Sequence, residues 1–563
     1  MIEDVYEPLA RYRDEFRDKF AKLAQEKFQA LTKASGVDVS ANRRTAAQIR
    51  KLASEASSAR SKMGGFGCLI ACSLVVAIAG IGWLFLTEIP DQRPWGICAA
   101  VVGFLLCILF LPAYKAAARR LEDLQARLAC AKQTAWEQME PLNRLYTWDL
   151  TVKLIQATVP RLEFDPYFTA QRLDDLARLY AWDDSFNEDK SILFAQSGVI
   201  NGNPFVFGDF RDMYWGKETY HGSKTISWTE WEEDSEGHRR RVTRHETLHA
   251  SVTKPKPVYQ TRKFLLYGND AAPDLVFTRK PSELSNLDGG FFARRRLKRE
   301  VKKLEEFSRN LNDEHGYTIM GNREFEALFE TMTRNHEVQY RLLFTPIAQL
   351  QMLQLIKDKT VGYGDDFTFR KRRKINLITA RHLDAMSLDT DPSQFRDWDW
   401  EHAREHFLAA NADYFKHVFF ALAPLLAIPL YQQTRTHEEI WKGVIPPGSR
   451  ASFWEHEAVA NYHGEKKFEH PRCLTHSLLK TRVCSRADGV SEVAVTAHGY
   501  CGETRTDYES VYGGDGNWHD VPVEWIEYLP VSRTSTMSVA EGKDEAAPRA
   551  QAYRRSIYSW LGR

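Results

Sequence analysis

The sequence predicts an α+β membrane protein with a two-helix transmembrane hairpin, a helical stalk, and then two antiparallel β-rich cytoplasmic domains. Three observations carry this prediction. Two charge-free apolar runs stand close together within the first 114 residues, helical periodicity flanks both, and short alternating segments with Gly- and Asn-containing turns dominate after residue 190. A chain of 563 residues is also too long for one hydrophobic core, so several domains are expected.

Changes of pattern divide the chain into successive segments. They are a cytoplasmic helical segment (1–62), the transmembrane hairpin (64–114, with spans 64–87 and 95–114), a helical stalk (115–160), an α+β domain (161–380), a helical and apolar connector (381–434), a β-rich domain that contains His and Cys (435–532), and a linker with a C-terminal amphipathic helix (533–563).

The segments on both sides of the hairpin read as helices. Apolar side chains recur every three to five residues from Leu9 to Leu31, "SGVDVSAN" interrupts the pattern, and residues 43–62 resume it. The run after the second span is again amphipathic, so the N-terminal helices should pack against it. An a/d seam over many heptads is absent, which predicts a helical bundle and not a long coiled coil.

The hairpin prediction depends on length and charge. Residues 64–87 contain no charged side chain, and as a helix they exceed the ~30 Å hydrocarbon core of a bilayer. Only "EIPDQRP" separates them from the second run, 95–114, so the spans must be antiparallel. The alternative is a buried helical hairpin of a soluble protein.

The flanks of the spans predict the orientation. Lys and Arg precede the first span and follow the second, and positively charged flanks stay in the cytoplasm. We therefore expect a multi-pass protein of the bacterial inner (plasma) membrane with both termini in the cytoplasm. The lipid bilayer is its first expected partner.

Two basic runs stand out against a balanced total of 76 Lys+Arg and 75 Asp+Glu. They are "RRRLKREVKK" (294–303) and "RKRRK" (370–374), the second at a predicted hairpin tip. A solvated surface and contact with anionic lipid headgroups are the favoured interpretations. Nucleic acid is disfavoured, because no aromatic residues interleave with the basic ones.

The segment "RHETLHASVT" (244–253) contains His-Glu-x-x-His, the short signature of zinc metallohydrolases. In those enzymes a helix places both His side chains on one metal. Here apolar and polar residues alternate, which predicts a strand. On a strand His245 and His249 would lie ~13 Å apart at a rise of ~3.3 Å per residue, too far to share one zinc. The sequence therefore favours a strand surface over a protease site.

Residues 160–380 carry a resemblance. "REFEALFETMTRNHEVQYRLLFTPIAQLQMLQL" resembles a segment of a bacterial family with a domain of unknown function, in which an F-E-x-x-F run precedes an E-x-R-x-L-L-T-P-like run. "SILFAQSGVINGNPFVFGDF" resembles the two strands and Gly turn at the start of that domain. The resemblance implies a membrane-anchored protein with a preceding membrane hairpin. The family has no agreed catalytic residues, so none is carried over.

The C-terminal part begins with "HVFFALAPLLAIPLY" (417–431), which is short for a span and contains two prolines. A buried core segment is favoured over an interfacial or re-entrant piece. Further on, "HPRC" and "HGYC" place His470 near Cys473 and His498 near Cys501. Two such turns could complete a tetrahedral zinc site. A structural zinc is therefore the candidate cofactor; the alternatives are a His-rich surface with buried Cys, and a catalytic metal or Cys–His nucleophile.

The sequence indicates only a broad class of function. No P-loop, dinucleotide-binding turn or Gly-x-Ser-x-Gly elbow is present, so a binding role is favoured over an enzyme and no catalytic residue is assigned. The leading hypothesis is a membrane-anchored cytoplasmic interaction or scaffold protein with a protein partner. The alternatives are a membrane-tethered zinc-dependent enzyme that uses the C-terminal His/Cys cluster, and a nucleic-acid-sensing effector that uses the basic runs.

Overall fold

The chain folds as an α+β protein with two long apolar helices and two antiparallel sheets, which confirms the predicted class at that level. The computed structural model describes residues 7–86, 93–233, 239–286, 291–309, 318–331, 333–435, 445, 449–487, 489–541, 551–553 and 557–561. The chain divides into two units. The first comprises Met1–Ala21, Trp148–Asp391 and Ala412–Arg563, and the second comprises Lys22–Thr147 and Pro392–Asn411.

Helices form the chain before the first strand. They are α1 (Pro8–Arg11), a π-helical turn (Tyr12–Phe16), α2 (Arg17–Ser35), α3 (Val39–Leu86), α4 (Arg93–Asn143) and α5 (Leu150–Thr158). The predicted break after the first helix is present, since Gly36 takes a positive φ of 67° between α2 and α3. The predicted loop 88–94 lies mostly outside the described residues.

Helices α3 and α4 are each long and apolar enough to cross a membrane, judged by length and composition. Small residues form the seam between them. A β-carbon at Gly103 would lie 2.6 Å from Ala77 N and from Ser73 O, and one at Gly80 would lie 2.6 Å from Ala100 N. The two backbones therefore approach closely only because these positions lack a side chain.

The basic ends of α3 and α4 also pack together, as the sequence predicts for the stalk. Ile49 of α3 is buried against Ala131 and Ala135 of α4, and further along Ala59 contacts Leu121 and Leu124. These are residues at helical spacing on one face of each helix, which explains the weak amphipathic pattern of the stalk. Each helix thus continues without interruption from its polar half into its apolar half.

The first sheet lies in the first unit. Its strands are β1 (Leu162–Phe164), β2 (Lys190–Ile200), β3 (Asn203–Glu233), β4 (Arg239–Gly268), β5 (Val276–Arg279), β6 (Phe367–Arg372) and β7 (Ile375–Ala380), in the order β1-β2-β3-β4-β7-β6-β5. The predicted Asn-Gly turn joins β2 to β3, with positive φ at both Asn201 and Gly202. Two left-handed residues match the twist of a tight hairpin.

Strands β3 and β4 are far longer than the short strands that the sequence predicts. They pair from Phe205 opposite Tyr267 out to Glu233 opposite Arg239, and their outer part is a two-stranded ribbon. Pro255 and Pro257 lie within that ribbon opposite Lys217 and Trp215. Both strands of a two-stranded ribbon are edge strands, where proline is tolerated, and these prolines do not end the strand.

The second sheet lies in the same unit. Its strands are β8 (Leu478–Ala487), β9 (Val490–Tyr512), β10 (Trp518–Glu541), β11 (Gln551–Tyr553) and β12 (Ile557–Leu561), in the order β11-β12-β10-β9-β8. Its outer part is again a two-stranded ribbon, which packs on the β3–β4 ribbon. Ile226 and Leu248 meet Val521 there, and a β-carbon at Gly222 would lie 2.0 Å from Pro522 O.

The C-terminal prediction is wrong in two respects. Residues 533–541 continue β10 and do not form a linker, and Ile557–Leu561 is a strand paired with Met537–Glu541, not an amphipathic helix. Side chains of this strand alternate between the two faces of the sheet, with Ile557 and Ser559 buried. Pairing with β10 on one side and β11 on the other makes this segment a strand, a tertiary effect that overrides helical spacing.

Further helices lie after β1 along the chain. They are α6 (Ala170–Tyr180), α7 (Phe291–Arg309), α8 (Arg323–Phe329), α9 (Glu337–Leu343), α10 (Pro346–Lys357), α11 (Arg381–Asp384), α12 (Trp400–Leu426), α13 (Pro429–Gln433) and α14 (Phe453–His463). The apolar run 417–431 forms the end of α12 and the start of α13, and its apolar side chains from Val418 to Ile428 are buried. This confirms the predicted core segment.

Helix α14 lies between the two sheets and contacts β2 and β8. Its Trp454, Ala458 and Val459 belong to one buried cluster with residues of both sheets, so the sheets share a hydrophobic core. The helix also buries Glu457, which accepts hydrogen bonds from Ile192 N and Asn187. Burial raises the pKa of this carboxyl to about 7, against the opposing effect of Lys480.

The seam between α3 and α4 yields a stability prediction. We expect Gly103→Val to lower the melting temperature in detergent by the equivalent of about 1–3 kcal/mol, the usual cost of overpacking, because its side chain would meet the α3 backbone. Gly82→Val is the matched control, since no atom lies within 4 Å of a β-carbon there. Equal melting temperatures for the two variants would contradict the close backbone contact of α3 and α4 at Gly103.

Candidate functional site

The four predicted zinc ligands lie around strand β9 but do not converge. Cys473 packs closely on Gly499, where a β-carbon would lie 2.4 Å from its Sγ, and that thiol donates to Thr475 O. Cys501 is buried on the same face of β9 as Gly499, whereas His498 is exposed on the other. His470 lies in a turn where its Nδ1 accepts from Arg472 N.

Strand geometry explains why the His498–Cys501 spacing does not form a ligand pair. Residues three apart on a strand point to opposite faces, whereas on a turn they can face one metal. Within the described parts of the chain, no group of three or more His, Cys, Asp or Glu side chains is arranged to hold a metal ion. The zinc site at His470, Cys473, His498 and Cys501 therefore stays a prediction.

The His-Glu-x-x-His segment lies on β4, which confirms the predicted strand. His245 and His249 are exposed opposite Ser227 and Ser223, while Leu248 between them is buried under the β9–β10 ribbon. Glu246 accepts a hydrogen bond from Gly514 N at 2.6 Å. The glutamate thus joins the two ribbons, which is a structural role.

Strand alternation places side chains of the basic run 370–374 on opposite sides of β6. The run spans the β6–β7 hairpin, as predicted, and Arg373 takes a positive φ of 58° at the tip. Lys371 points into the protein, where it is buried, and Lys374 pairs with Asp270 at 2.9 Å. Arg370 and Arg372 are exposed on the opposite side of β6 from Lys371. Only the arginines therefore remain available to a ligand.

These arginines line a groove of about 330 Å³ on one face of the first sheet. Its other wall is the segment between α6 and β2, which contributes Trp182, Asp183 and Phe186. The floor is formed by Ile375 and Leu377 of β7. A second cavity of about 390 Å³ shares Phe186, Arg370 and Leu377 with the groove and extends it toward β3 and β4.

The groove carries more positive than negative charge. Arg370, Arg372 and Arg373 have no hydrogen bond or ion pair from their side chains among the residues that the structure describes. Among the side chains that the structure describes, the carboxylate that lines the groove is Asp183, which accepts from Ser185 N and Oγ. These bonds hold its pKa below the ordinary value, with a smaller effect from Arg372.

The local sequence pattern does not reveal the aromatic wall of this groove. Trp182 and Phe186 stand far from residues 370–374 along the chain, so no local pattern connects them. Their rings lie 5.4 Å apart, and each is about 6.1 Å from Trp454 of α14. Packing against the core fixes both rings in place. The lack of aromatic residues within the run 370–374 therefore does not exclude aromatic residues beside that run in the fold.

Lys371 occupies a buried site behind the groove. Its Nζ donates to Ala271 O at 3.0 Å and lies 5.4 Å from the ring centre of Tyr431. Burial lowers the pKa of this ammonium to about 7, although Asp270 opposes the effect. The basic hairpin thus contains one lysine that changes charge near neutral pH.

This site makes stability depend on pH. Between pH 7 and the ordinary lysine pKa, the unfolded chain binds one more proton than the folded chain, so stability should rise with pH by up to about 1.4 kcal/mol per pH unit. We expect melting temperatures of Lys371→Met, measured from pH 7 to 10, to lack this rise. The control is Lys280→Met at an exposed lysine. If the melting temperature of the wild-type protein changed with pH in parallel with that of Lys371→Met, the lowered pKa of Lys371 would be contradicted.

Comparison of the chain with family models, with curated proteins and with solved structures finds no match. The resemblance of residues 160–380 to a family with a domain of unknown function therefore stays a prediction. A function can therefore be assigned only from the chemistry of the groove, the ribbons and the apolar helices.

Proposed function

We propose that this chain is a membrane-anchored interaction protein, in which α3 and α4 form a transmembrane hairpin and the β-rich unit binds partners in the cytoplasm. The observation that carries the proposal is the exposed apolar surface of α3 and α4. Only 17% and 11% of their most apolar windows are buried. Exposed apolar area of this extent is unfavourable in water and is satisfied by lipid.

The distribution of exposed and buried residues supports lipid contact over a soluble hairpin. Leu74, Ile78, Phe104 and Leu105 are between 51% and 62% exposed, whereas Gly103 lies in the seam. Large apolar residues outside and small residues inside are typical of membrane helices, where lipid replaces the hydrophobic partner. A soluble helical hairpin would bury its large residues instead.

The interaction role is supported by exposed aromatic residues on the ribbons. Trp231 and Trp518 are each 70% exposed, and Trp518 packs against Tyr512 with ring centres 5.5 Å apart. Neighbouring charges pair with one another, as in the 2.8 Å contact between Arg244 and Glu230. Exposed aromatics among balanced charges suit a protein partner better than a polyanion.

The two rival functions receive less support. A zinc-dependent enzyme would need converging ligands, and His470, Cys473, His498 and Cys501 are spread over a turn and two faces of β9. A nucleic-acid effector would need a continuous basic track, and in the run 370–374 Lys371 donates to a buried carbonyl and Lys374 is paired with Asp270. Zinc content of the purified full-length protein remains the direct measurement for the first rival.

The anchor can be tested with arginines on the lipid-facing surface. We expect Leu74→Arg with Leu105→Arg to reduce the fraction that resists alkaline carbonate extraction from membranes. A cation at the centre of a span costs about 2.5–3.5 kcal/mol on insertion scales. Ser58→Arg, at an exposed position in the polar half of α3, is the control and should behave like wild type. Release of the wild-type protein by carbonate would refute the anchor.

The orientation can be tested with thiol reagents that do not cross the membrane. Cys484 is exposed, whereas Cys501 is buried, so Cys484 is the informative native thiol in the second sheet. In a variant that retains Cys484 as its only cysteine, we expect no labelling from outside intact spheroplasts and full labelling after lysis. Gln92→Cys, in the predicted external loop, should react from outside. The opposite pattern would reverse the topology.

A further inference from the structure

We infer that the groove at the β6–β7 hairpin binds a phosphate ester whose organic part is planar or apolar. The ligand's phosphate would lie against Arg370, Arg372 and Arg373, and its organic part against Trp182 and Phe186. This inference goes beyond the membrane anchor, because the groove is built wholly from residues of the first unit.

The arginines supply the first argument. Three guanidinium groups border one groove without ion-paired partners in the described chain, although like charges repel. The same hairpin neutralises Lys374 with Asp270 and buries Lys371, so unpaired cations are not a general property of this run. Guanidinium groups match the paired oxygens of a phosphate and bind them through charge-assisted hydrogen bonds.

The aromatic wall supplies the second argument. Phe186 contacts Phe264 with ring centres 5.2 Å apart, and both Trp182 and Phe186 contact Trp454. Rings fixed by the core need no ordering when a ligand binds, which favours affinity. Both rings also line the groove beside the arginines, so the groove fits a ligand with a planar or apolar part next to its phosphate.

The neighbouring acidic groups do not prevent anion binding. In the cavity that extends the groove, Asp212 lies 3.5 Å from Arg262, Asp366 hydrogen-bonds His382, and Asp384 accepts from Lys263 N. Each carboxylate is thus engaged by the protein, while Arg370 points to the space that both cavities share. A volume of about 330 Å³ suits a small phosphate ester.

Two kinds of molecule carry this phosphate chemistry. One is a soluble phosphate ester, and the other is the headgroup of a phospholipid with a terminal phosphate. Full-length protein in a neutral detergent would be titrated by calorimetry with phenyl phosphate, methyl phosphate and dihexanoyl phosphatidate. We expect phenyl phosphate to bind more tightly than methyl phosphate. Stronger binding of phosphatidate than of phenyl phosphate identifies the lipid source, and the reverse order identifies a soluble ester; either result supports the groove.

Variants separate the groove from general charge. Arg370→Gln with Arg372→Gln should weaken phenyl phosphate binding by about tenfold for each arginine. Arg240→Gln with Arg482→Gln removes two exposed strand arginines elsewhere and should leave binding unchanged. Trp182→Ala should reduce the preference for phenyl over methyl phosphate while methyl phosphate binding persists. Melting temperatures verify that each variant is folded.

Two results would overturn the inference. The first is no measurable heat with any of the three phosphates at millimolar concentration. The second is equal weakening in the groove variant and in the control variant, which would show a general charge effect. Neither result depends on whether α3 and α4 enter a membrane, because the titration is carried out in detergent.

Discussion

The first unit depends on the burial of α14 between two antiparallel sheets. Eight of its eleven residues are buried, Glu455, His456 and Glu457 among them, so the helix is stable only when the surrounding structure covers it. Its buried carboxylates bind specific backbone groups, Glu455 accepting from Phe168 N and Glu457 from Ile192 N. Removing either acceptor would leave a buried N–H group without its partner, at about 1–3 kcal/mol. These contacts fix the helix against β2 and against the segment between β1 and α6.

The groove is a consequence of the same packing. Trp454 of α14 contacts Trp182 and Phe186, and these two rings form the wall that faces the arginines of β6. The β6–β7 hairpin is in turn fixed by the buried Lys371 behind it. A core helix, a connecting segment and a distant hairpin therefore cooperate to build one concave surface, which is typical of ligand sites.

The apolar helices follow a different principle. Their seam consists of Gly and Ala positions that allow close backbone contact, and their large apolar residues point outward. The two ribbons of the first unit use the same device at one point, since Gly222 is needed where the ribbon of β3 and β4 meets Pro522. Close approach requires the absence of a side chain in both places, between two helices and between two ribbons.

Local pattern alone determined several features of this protein. Charge-free length and helical periodicity identified α3 and α4, an Asn-Gly pair identified the β2–β3 turn, and alternation placed His-Glu-x-x-His on a strand. These features depend on neighbours within a few residues, so the sequence contains all the information. The tertiary structure alone decided the length of the ribbons, the strand at Ile557–Leu561, the separation of His498 from Cys501, and the groove. Each of these depends on contacts between residues that are distant along the chain, and such contacts leave no local pattern. Strand pairing supplied a partner for the C-terminal segment, and core packing brought Trp182 and Phe186 to Arg370 and Arg372.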